Sequence, residues 1–175
     1  NLEFGTLSDT VGQYAIKSFV AATEALKNNE IDALVTAPIN KYNIQSDEFQ
    51  FPGHTDYLNK ELNGNALMFM VSEDLKVGLV TDHVPLHLVS QNITPDLIKQ
   101  KVRTINKSLI QDFNVVKPRI ALLGLNPHSG DNGIIGNEEL SFINNTVKEL
   151  FDENIIIYGP YSADAFFGSE QYKKF

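Results

Sequence analysis

The sequence predicts an α/β fold with a layered mixed sheet and flanking helices. Helical patterns, in which apolar residues recur every three or four positions, alternate with short continuous apolar runs typical of buried strands. Clusters of Gly, Pro, Asn and Asp separate these runs and mark loops. Two of the runs are joined by the short link Ser72–Leu75, which favours an antiparallel hairpin and therefore a mixed sheet.

The first predicted element is a helix that begins at Ser8 or Asp9, residue types that favour the N-cap position. The helix ends at Lys27-Asn28-Asn29. Its apolar face is formed by Val11, Ala15, Phe19, Ala22 and Leu26. The apolar run 31–36 follows and stops at Ala37-Pro38, which predicts a strand that ends in a loop.

The next predicted elements are the hairpin and a long helix. The hairpin consists of the apolar runs 66–71 and 76–81. The pair Thr94-Pro95 combines a capping residue with a proline at the first helical position and therefore predicts the start of the helix. The apolar side of this helix contains Leu97, Ile98, Val102, Ile105, Leu109 and Phe113.

The remaining predicted elements are a buried strand over 119–124, a helix that starts at 137–139, and a strand over 155–158. Ligands of open α/β sheets bind beyond the carboxyl ends of the strands. We therefore expect the loops after three predicted strands to converge on one cleft; they are 36–38, 81–83 and 124–128.

Composition limits the possible function classes. The 175 residues are 42% hydrophobic, which is enough for one core and predicts a single α/β unit over 1–175. The formal net charge of -8 repels a phosphate backbone and disfavours nucleic-acid binding. No apolar run approaches the ~20 residues of a membrane span, and no signal peptide opens the chain, so we expect a cytoplasmic protein without a membrane partner.

Three of the four histidines follow apolar runs and stand beside helix-breaking residues: His54, His83 and His128. Such loops can direct imidazoles into a shared cleft, although a loop histidine is often simply solvated. His87 has no such setting, and we interpret it as structural. Because the chain has no cysteine, a metal site would have to use His, Asp or Glu.

Other candidate residues carry charge near these loops. Lys41 follows the predicted strand end, where its ammonium could meet an anionic substrate, and a solvent-exposed role is the alternative. Asp82, Asp131 and Asp164 are candidate carboxylates, but aspartate is also a common turn residue. The segment 126–133 contains neither a dinucleotide fingerprint nor a Walker lysine, so no cofactor-binding residue is assigned.

Five segments resemble, in the same order, the signatures of the 4-hydroxythreonine-4-phosphate dehydrogenase family. They are 34–41 (LVTAPINK), 51–55 (FPGHT), 79–86 (LVTDHVPL), 124–130 (GLNPHSG) and 159–164 (GPYSAD). The resemblance covers essentially the whole chain. It implies a central slice of a longer dehydrogenase, with the third metal-binding histidine and the nicotinamide site outside 1–175.

The resemblance also implies a fold and a reaction. The fold would be part of a two-domain architecture like that of isocitrate and isopropylmalate dehydrogenases, assembled as a homodimer. The reaction would be oxidation of the small phosphorylated substrate 4-phosphohydroxy-L-threonine with NAD or NADP, followed by decarboxylation to 3-amino-2-oxopropyl phosphate in vitamin B6 biosynthesis. A divalent metal, for which Zn, Co and Mg are the candidates, would assist.

By the same resemblance, His83 and His128 match metal ligands, whereas His54 and Thr55 match substrate contacts. Lys41 and Asp164 are the candidate catalytic residues, in substrate binding or proton transfer. Asp82, beside the candidate ligand His83, could support that ligand by a hydrogen bond.

Three alternatives stay open. Related family members act on threonate or erythronate phosphate, so another four-carbon phosphorylated acid is a candidate substrate. A metal-dependent hydrolase or lyase would turn over substrate without nicotinamide. The 175-residue fragment by itself could be an inactive binding module.

Overall fold

The computed structural model of the protein describes residues 5–47 and 49–175. Its contacts divide the chain into two compact units, the first ending at Ala66 and the second covering Leu67–Phe175. The sequence analysis predicts one α/β unit over 1–175, and the structure differs because each unit has an apolar core of its own. In the described part of the chain, no helix is long and apolar enough to cross a membrane.

The first unit contains two helices, α1 (Asp9–Lys27) and α2 (His54–Glu61). Helix α1 confirms the prediction, with Ser8 at its N-cap in an extended conformation. Asp9 in its first turn and Lys27 in its last turn have the charges that the helix dipole favours at those ends. The helices pack around an aromatic core whose buried members are Phe19, Ile44, Phe49 and Tyr57.

The predicted strand over 31–36 is absent. All strands in the described residues lie in the second unit, so the first unit offers this run no partner for a hydrogen-bonded ladder. Leu34 packs against the first core, but Val35 is 95% exposed. The prediction was wrong because apolar character suggests a strand without supplying the neighbour that a strand requires.

The second unit contains two small sheets. Strands β1 (Phe69–Val71) and β2 (Lys76–Gly78) form the predicted antiparallel hairpin, with Phe69 opposite Gly78. Strands β3 (Ile120–Leu123) and β4 (Ile157–Tyr161) pair in parallel.

The predicted single mixed sheet is therefore corrected to two separate sheets within the described residues. The hairpin has no edge pairing with β3 or β4, and its strand β2 approaches the long helix α4 (Pro95–Gln111) at Gly78. At this contact, a Cβ at Gly78 would lie 2.5 Å from Cδ1 of Ile105, so glycine permits the close approach. The hairpin thus approaches a helix instead of extending the other sheet.

Helix α4 begins as predicted. The Thr94 hydroxyl oxygen accepts a hydrogen bond of 3.2 Å from the backbone N–H of Leu97, which satisfies one of the free amides of the first turn. The short helix α3 (Val89–Asn92) precedes α4, and His87 lies exposed in the short 3₁₀ turn Leu86–Leu88. His87 therefore lies on the surface, away from the ends of the described strands, and its structural interpretation stays a prediction.

In the last part of the chain, the helices and strands occur in the predicted order but begin and end at other residues than predicted. The predicted helix start is a π-helical segment, Glu139–Ile143, which continues into α5 (Asn144–Asp152). Strand β4 begins later than predicted and continues through Gly159-Pro160. Helix α6 (Ala163–Gly168) and a 3₁₀ turn, Gln171–Lys174, complete the unit.

The second core lies between α4, α5 and the parallel strands. Its buried members are Ile98, Val102, Leu109, Ile120, Leu122, Ile143, Val147, Leu150, Ile155 and Ile157. Each fully buried aliphatic side chain of this kind contributes about 1.5–3 kcal/mol through the hydrophobic effect. This core holds β3 and β4 in place, and their carboxyl ends lead into the loops that carry His128 and Asp164.

Candidate functional site

Parallel pairing of β3 with β4 brings two of the predicted motifs together. Leu123 pairs with Tyr161 at the carboxyl ends of the strands, and the backbone N–H of Gly124 donates a 2.7 Å hydrogen bond to the carbonyl oxygen of Tyr161. The loop after β3 contains His128, and the start of α6 contains Asp164. The imidazole Nδ1 of His128 lies 3.1 Å from Oδ2 of Asp164.

The His128 loop, defined as residues 124–137, contains an unusual turn. All five residues from His128 to Asn132 have left-handed backbone angles, with φ between 42° and 80°. Left-handed backbone costs about 1–2 kcal/mol for most L-residues and little for glycine. Only Gly130 in this run is free of that cost, so contacts elsewhere in the loop must maintain the conformation.

Glu139 supplies those contacts. Its side chain is buried, with 2% of the residue exposed, and its two carboxylate oxygens accept hydrogen bonds from the backbone N–H (2.8 Å) and side-chain amide (2.9 Å) of Asn126. Oε2 of Glu138 accepts a further bond of 2.8 Å from the same amide. The beginning of the His128 loop is thereby fastened to the π-helical segment that follows its end.

Hydrogen bonding sets the charge of this acidic pair. Burial raises the pKa of Glu139, but the N–H groups of Asn126 and the backbone amides of Glu139 and Leu125 lower it more, so the pKa lies below its usual range. The amide of Asn126 likewise lowers the pKa of Glu138. Both carboxylates are therefore ionised at neutral pH and act as hydrogen-bond acceptors.

Asp164 is also held as an anion. The Ser162 hydroxyl donates a hydrogen bond to its Oδ1, and this bond is the largest cause that places the pKa of the Asp164 carboxyl below its usual value. The Asp164 backbone amide and the His128 imidazole act in the same direction. An ionised Asp164 can accept a proton or orient the imidazole, but it has no proton to give.

The two candidate metal ligands share a backbone feature. His83 (φ 48°) and His128 (φ 52°) are both left-handed, and both side chains are exposed. The carboxylate on Nδ1 of His128 leaves Nε2 open, which is the arrangement found for many metal-binding histidines. Imidazole nitrogens are donors that suit a divalent metal, but the described residues contain no group of three or more His, Asp or Glu side chains that could hold one. The role of His83 and His128 as ligands therefore stays a prediction.

The other predicted site residues belong to the first unit. His54 and Thr55 form the first turn of α2, and the ring of His54 packs edge-on against Phe19 at 4.8 Å between centroids. The side-chain oxygen of Asn40 accepts hydrogen bonds from the amides of two following residues and fixes the turn that carries Lys41. The bonds are 2.9 Å from Tyr42 and 3.3 Å from Asn43.

Lys41 extends toward the start of α2. A Cβ at Gly53, the buried residue before His54, would lie 3.7 Å from Cε of Lys41. An ammonium, an imidazole and the free amides of a helix start together favour an anion such as a phosphate or carboxylate. The structure thus brings together Lys41, His54 and Thr55 within one unit, as it does His128 and Asp164 within the other.

A cavity of about 510 Å³ in the second unit is lined mainly by apolar side chains, including Phe69, Val102 and Phe166. None of His83, His128 and Asp164 lines it. Lys76, Lys101 and Arg119 also line it, but because the three candidate residues lie outside its lining, we do not assign it to the candidate site.

Sequence reasoning missed Asn126 and Glu139 as residues that shape the site. In the sequence, Glu139 is an acidic residue at a predicted helix start, which is a common surface position. Its burial follows from the fold of the 13 residues that separate it from Asn126. The π-helical segment that contains Glu139 is a feature frequent at functional sites, but the apolar pattern of the sequence does not show it, so the sequence carried no signal for this residue.

Comparison with known proteins identifies the family. The family model described as "Pyridoxal phosphate biosynthetic protein PdxA" matches residues 1–175. A 4-hydroxythreonine-4-phosphate dehydrogenase of Bacteroides thetaiotaomicron is 45% identical over 176 residues, which are 99% of this chain and 48% of the relative. One of Sulfurihydrogenibium sp. is 41% identical over 100% of this chain and 54% of its own length.

Solved structures agree with the fold. The crystal structure of 4-hydroxythreonine-4-phosphate dehydrogenase from Klebsiella pneumoniae superposes with a TM-score of 0.88 at 26% identity, covering 99% of this chain and 52% of that one. The predicted α/β class is thereby confirmed, whereas the likeness to isocitrate dehydrogenase stays a prediction. The chain spans about half the length of the curated relatives it matches. Because the family model matches its whole length, the chain belongs to the PdxA family of pyridoxal phosphate biosynthetic proteins.

Proposed function

We propose that this chain provides the substrate- and metal-binding residues of an NAD- or NADP-dependent dehydrogenase acting on 4-phosphohydroxy-L-threonine in vitamin B6 biosynthesis. The observation that carries the proposal is the contact of 3.1 Å between His128 and Asp164 at the paired strand ends, in a chain whose relatives are named 4-hydroxythreonine-4-phosphate dehydrogenases. The complete protein would be a homodimer, which light scattering after gel filtration would test.

The residues divide into two roles. Lys41, His54 and Thr55 would bind the anionic substrate through charge and hydrogen bonds, and Lys41 supplies the positive charge. His83 and His128 would hold a divalent cation together with a ligand from the rest of the protein, and imidazoles suit Zn or Co better than Mg. Asp164 would accept a hydrogen bond from the His128 imidazole. When bound, the cation would polarise the substrate hydroxyl and nicotinamide would take the hydride.

A direct assay of the complete protein tests the reaction. With 4-phosphohydroxy-L-threonine and either nicotinamide cofactor, we expect formation of reduced cofactor, detected by its near-ultraviolet absorbance, and release of carbon dioxide. Higher kcat/KM with threonate or erythronate phosphate would change the substrate assignment. Turnover of the phosphorylated acid without nicotinamide would instead indicate a hydrolase or lyase and contradict the dehydrogenase proposal.

Removal of a proposed metal ligand should have a large effect on that activity. We expect His83→Ala and His128→Ala in the complete protein each to lower kcat/KM more than 100-fold, because loss of a ligand exceeds the 10–100-fold cost that is typical of its supporting partners. His87→Ala, an exposed histidine of the same unit, is the matched control and should retain the activity. Equal activities of the three variants would contradict the ligand assignment.

Loss of the Lys41 charge should chiefly weaken substrate binding. A charge-assisted hydrogen bond contributes about 1.5–3 kcal/mol, so Lys41→Ala is expected to raise KM about 10–100-fold. Lys17→Ala, an exposed lysine of α1, is the control. If KM is unchanged while kcat falls, Lys41 acts in proton transfer and not in substrate binding.

A further inference from the structure

Three side chains at the end of β4 and in the His128 loop form one hydrogen-bonded series. The hydroxyl of Ser162 donates to Oδ1 of Asp164, while Oδ2 of the same carboxylate lies 3.1 Å from Nδ1 of His128. Each carboxylate oxygen therefore has its own partner. We call these residues the Ser162–Asp164–His128 triad.

The segment that carries Ser162 and Asp164 and the loop that carries His128 are each held in place by other contacts. Ser162 is the N-cap of α6, and Asp164 lies in the first turn of that helix directly after β4. On the other side, Asn126 is fastened to the buried Glu139. A 3.4 Å bond from the Ser129 hydroxyl to the carbonyl oxygen of Pro160 joins the two loops. The backbone thus sets the distance between carboxylate and imidazole.

The contact itself is not a source of stability. The side chains of His128 and Asp164 are 68% and 54% exposed, and pairs exposed to this degree contribute about 0–1 kcal/mol at most. The contact instead determines which imidazole nitrogen of His128 carries the proton. An ionised carboxylate can only accept a hydrogen bond, so Nδ1 must carry the proton, and the lone pair of a neutral imidazole is then on Nε2.

We propose that Asp164, held in place by Ser162, is a positioning residue that fixes His128 as its Nδ1–H tautomer and directs Nε2 outward as a metal-binding nitrogen. The inference rests on the proposed role of His128 in the dehydrogenase, and it gives Asp164 a function through His128 instead of the direct catalytic role predicted from the sequence. Supporting carboxylates of this kind orient the ring and raise the basicity of the ligand.

The first test measures binding of Co²⁺ alone to the complete protein by titration calorimetry. We expect Asp164→Asn to weaken Co²⁺ binding about 10–100-fold with an unchanged thermal unfolding midpoint. Ser162→Ala leaves the carboxylate in place and should weaken binding less, about 2–5-fold. Asp112→Asn is the matched control, because Asp112 likewise accepts a hydrogen bond from a serine, Ser108 at 2.5 Å, at the exposed end of α4.

The second test determines the tautomer directly by NMR of the metal-free complete protein with ¹⁵N-labelled histidine, at a pH where imidazole is neutral. Wild-type His128 should carry its proton on Nδ1, and Asp164→Asn should shift the ring toward the Nε2–H form. An Nε2–H tautomer in the wild type would overturn the proposal. So would Co²⁺ affinity of Asp164→Asn within twofold of wild type while His128→Ala binds weakly.

These outcomes separate the inference from the proposed function. If His128→Ala itself leaves Co²⁺ affinity unchanged, the ligand assignment in the proposed function fails, and with it the metal-directed part of the inference. The NMR measurement then still decides whether Asp164 sets the His128 tautomer.

Discussion

Replacement of Glu139 by alanine should lower the free energy of unfolding of the second unit by about 1–3 kcal/mol, a large effect for a single substitution. The substitution removes a side chain, 2% exposed, that accepts the hydrogen bond of the half-buried backbone N–H of Asn126. The side-chain amide of Asn126 loses one bond and keeps the other, to Glu138. Each donor left buried and unsatisfied costs about 1–3 kcal/mol. Segment-resolved hydrogen exchange is the measurement, and we expect the His128 loop to lose protection first.

The control for this prediction lies in the same loop. Asp131 is an exposed carboxylate with φ of 42°, a conformation that asparagine also tolerates, so Asp131→Asn should leave exchange unchanged. If Glu139→Ala exchanges no faster than Asp131→Asn, Glu139 does not hold the loop.

The charge of Glu139 also predicts a pH dependence. Its folded-state pKa lies below the unfolded value of about 4.3, so its contribution to stability is complete above that pH and is lost as the pH falls through the folded-state pKa. Wild-type protein should therefore lose stability on acidification below about pH 4.3, and Glu139→Gln should flatten this part of the curve. Urea denaturation at a series of pH values measures it, and parallel curves would contradict the assignment.

Replacement of Gly12 by alanine should have a comparable effect in the first unit. A Cβ at this buried position of α1 would lie 2.0 Å from the carbonyl oxygen of Asn43 and 2.7 Å from its carbonyl carbon, and neither atom can move without shifting the backbone. Overpacking against backbone outweighs the roughly 1 kcal/mol by which alanine favours a helix over glycine. We expect a net loss of about 2–4 kcal/mol.

Hydrogen exchange of α1 measures this loss, because the chain has two compact units and a single melting temperature need not describe both. Gly64→Ala is the matched control in the same unit, since a Cβ there would meet no atom within 4 Å. Faster exchange in α1 for Gly64→Ala as well would show that the effect does not come from the Asn43 contact.

The sequence alone predicted the bounds of elements that depend on residues close together in the chain. Helices α1 and α4 begin after their predicted caps, Ser8 and Thr94. At α4 the reason is local, because the Thr94 hydroxyl accepts a hydrogen bond from Leu97 within one turn, whereas the Ser8 side chain makes no capping bond. The strand predicted over 31–36 is absent because a strand depends on a partner strand, and no local pattern supplies one. Strand β4 continues past Gly159-Pro160 because pairing of Tyr161 with Leu123 sets its end, and that partner lies far away in sequence.

The same distinction applies to the candidate site. The rule that ligands bind beyond the carboxyl ends of strands led us to expect the loops 36–38, 81–83 and 124–128 to converge, and this stays a prediction. The contact between His128 and Asp164, which follows β4, was not part of that expectation. Glu139 could not be found in this way, because an acidic residue at a helix start is common and only the folded loop makes it buried. The roles of Lys41, His54, Thr55 and His83 stay predictions.

The left-handed backbone at His83 and His128 has a conformational cost that opposes the proposed role of these residues in metal binding. Glycine at either position would relieve about 1 kcal/mol of conformational cost and remove a proposed metal ligand. Selection for thermal stability alone would therefore favour variants without these imidazoles, as is common when a functional site carries strain. In protein engineering, selection for stability would favour replacement of His83 and His128, whereas selection for metal affinity would keep both histidines.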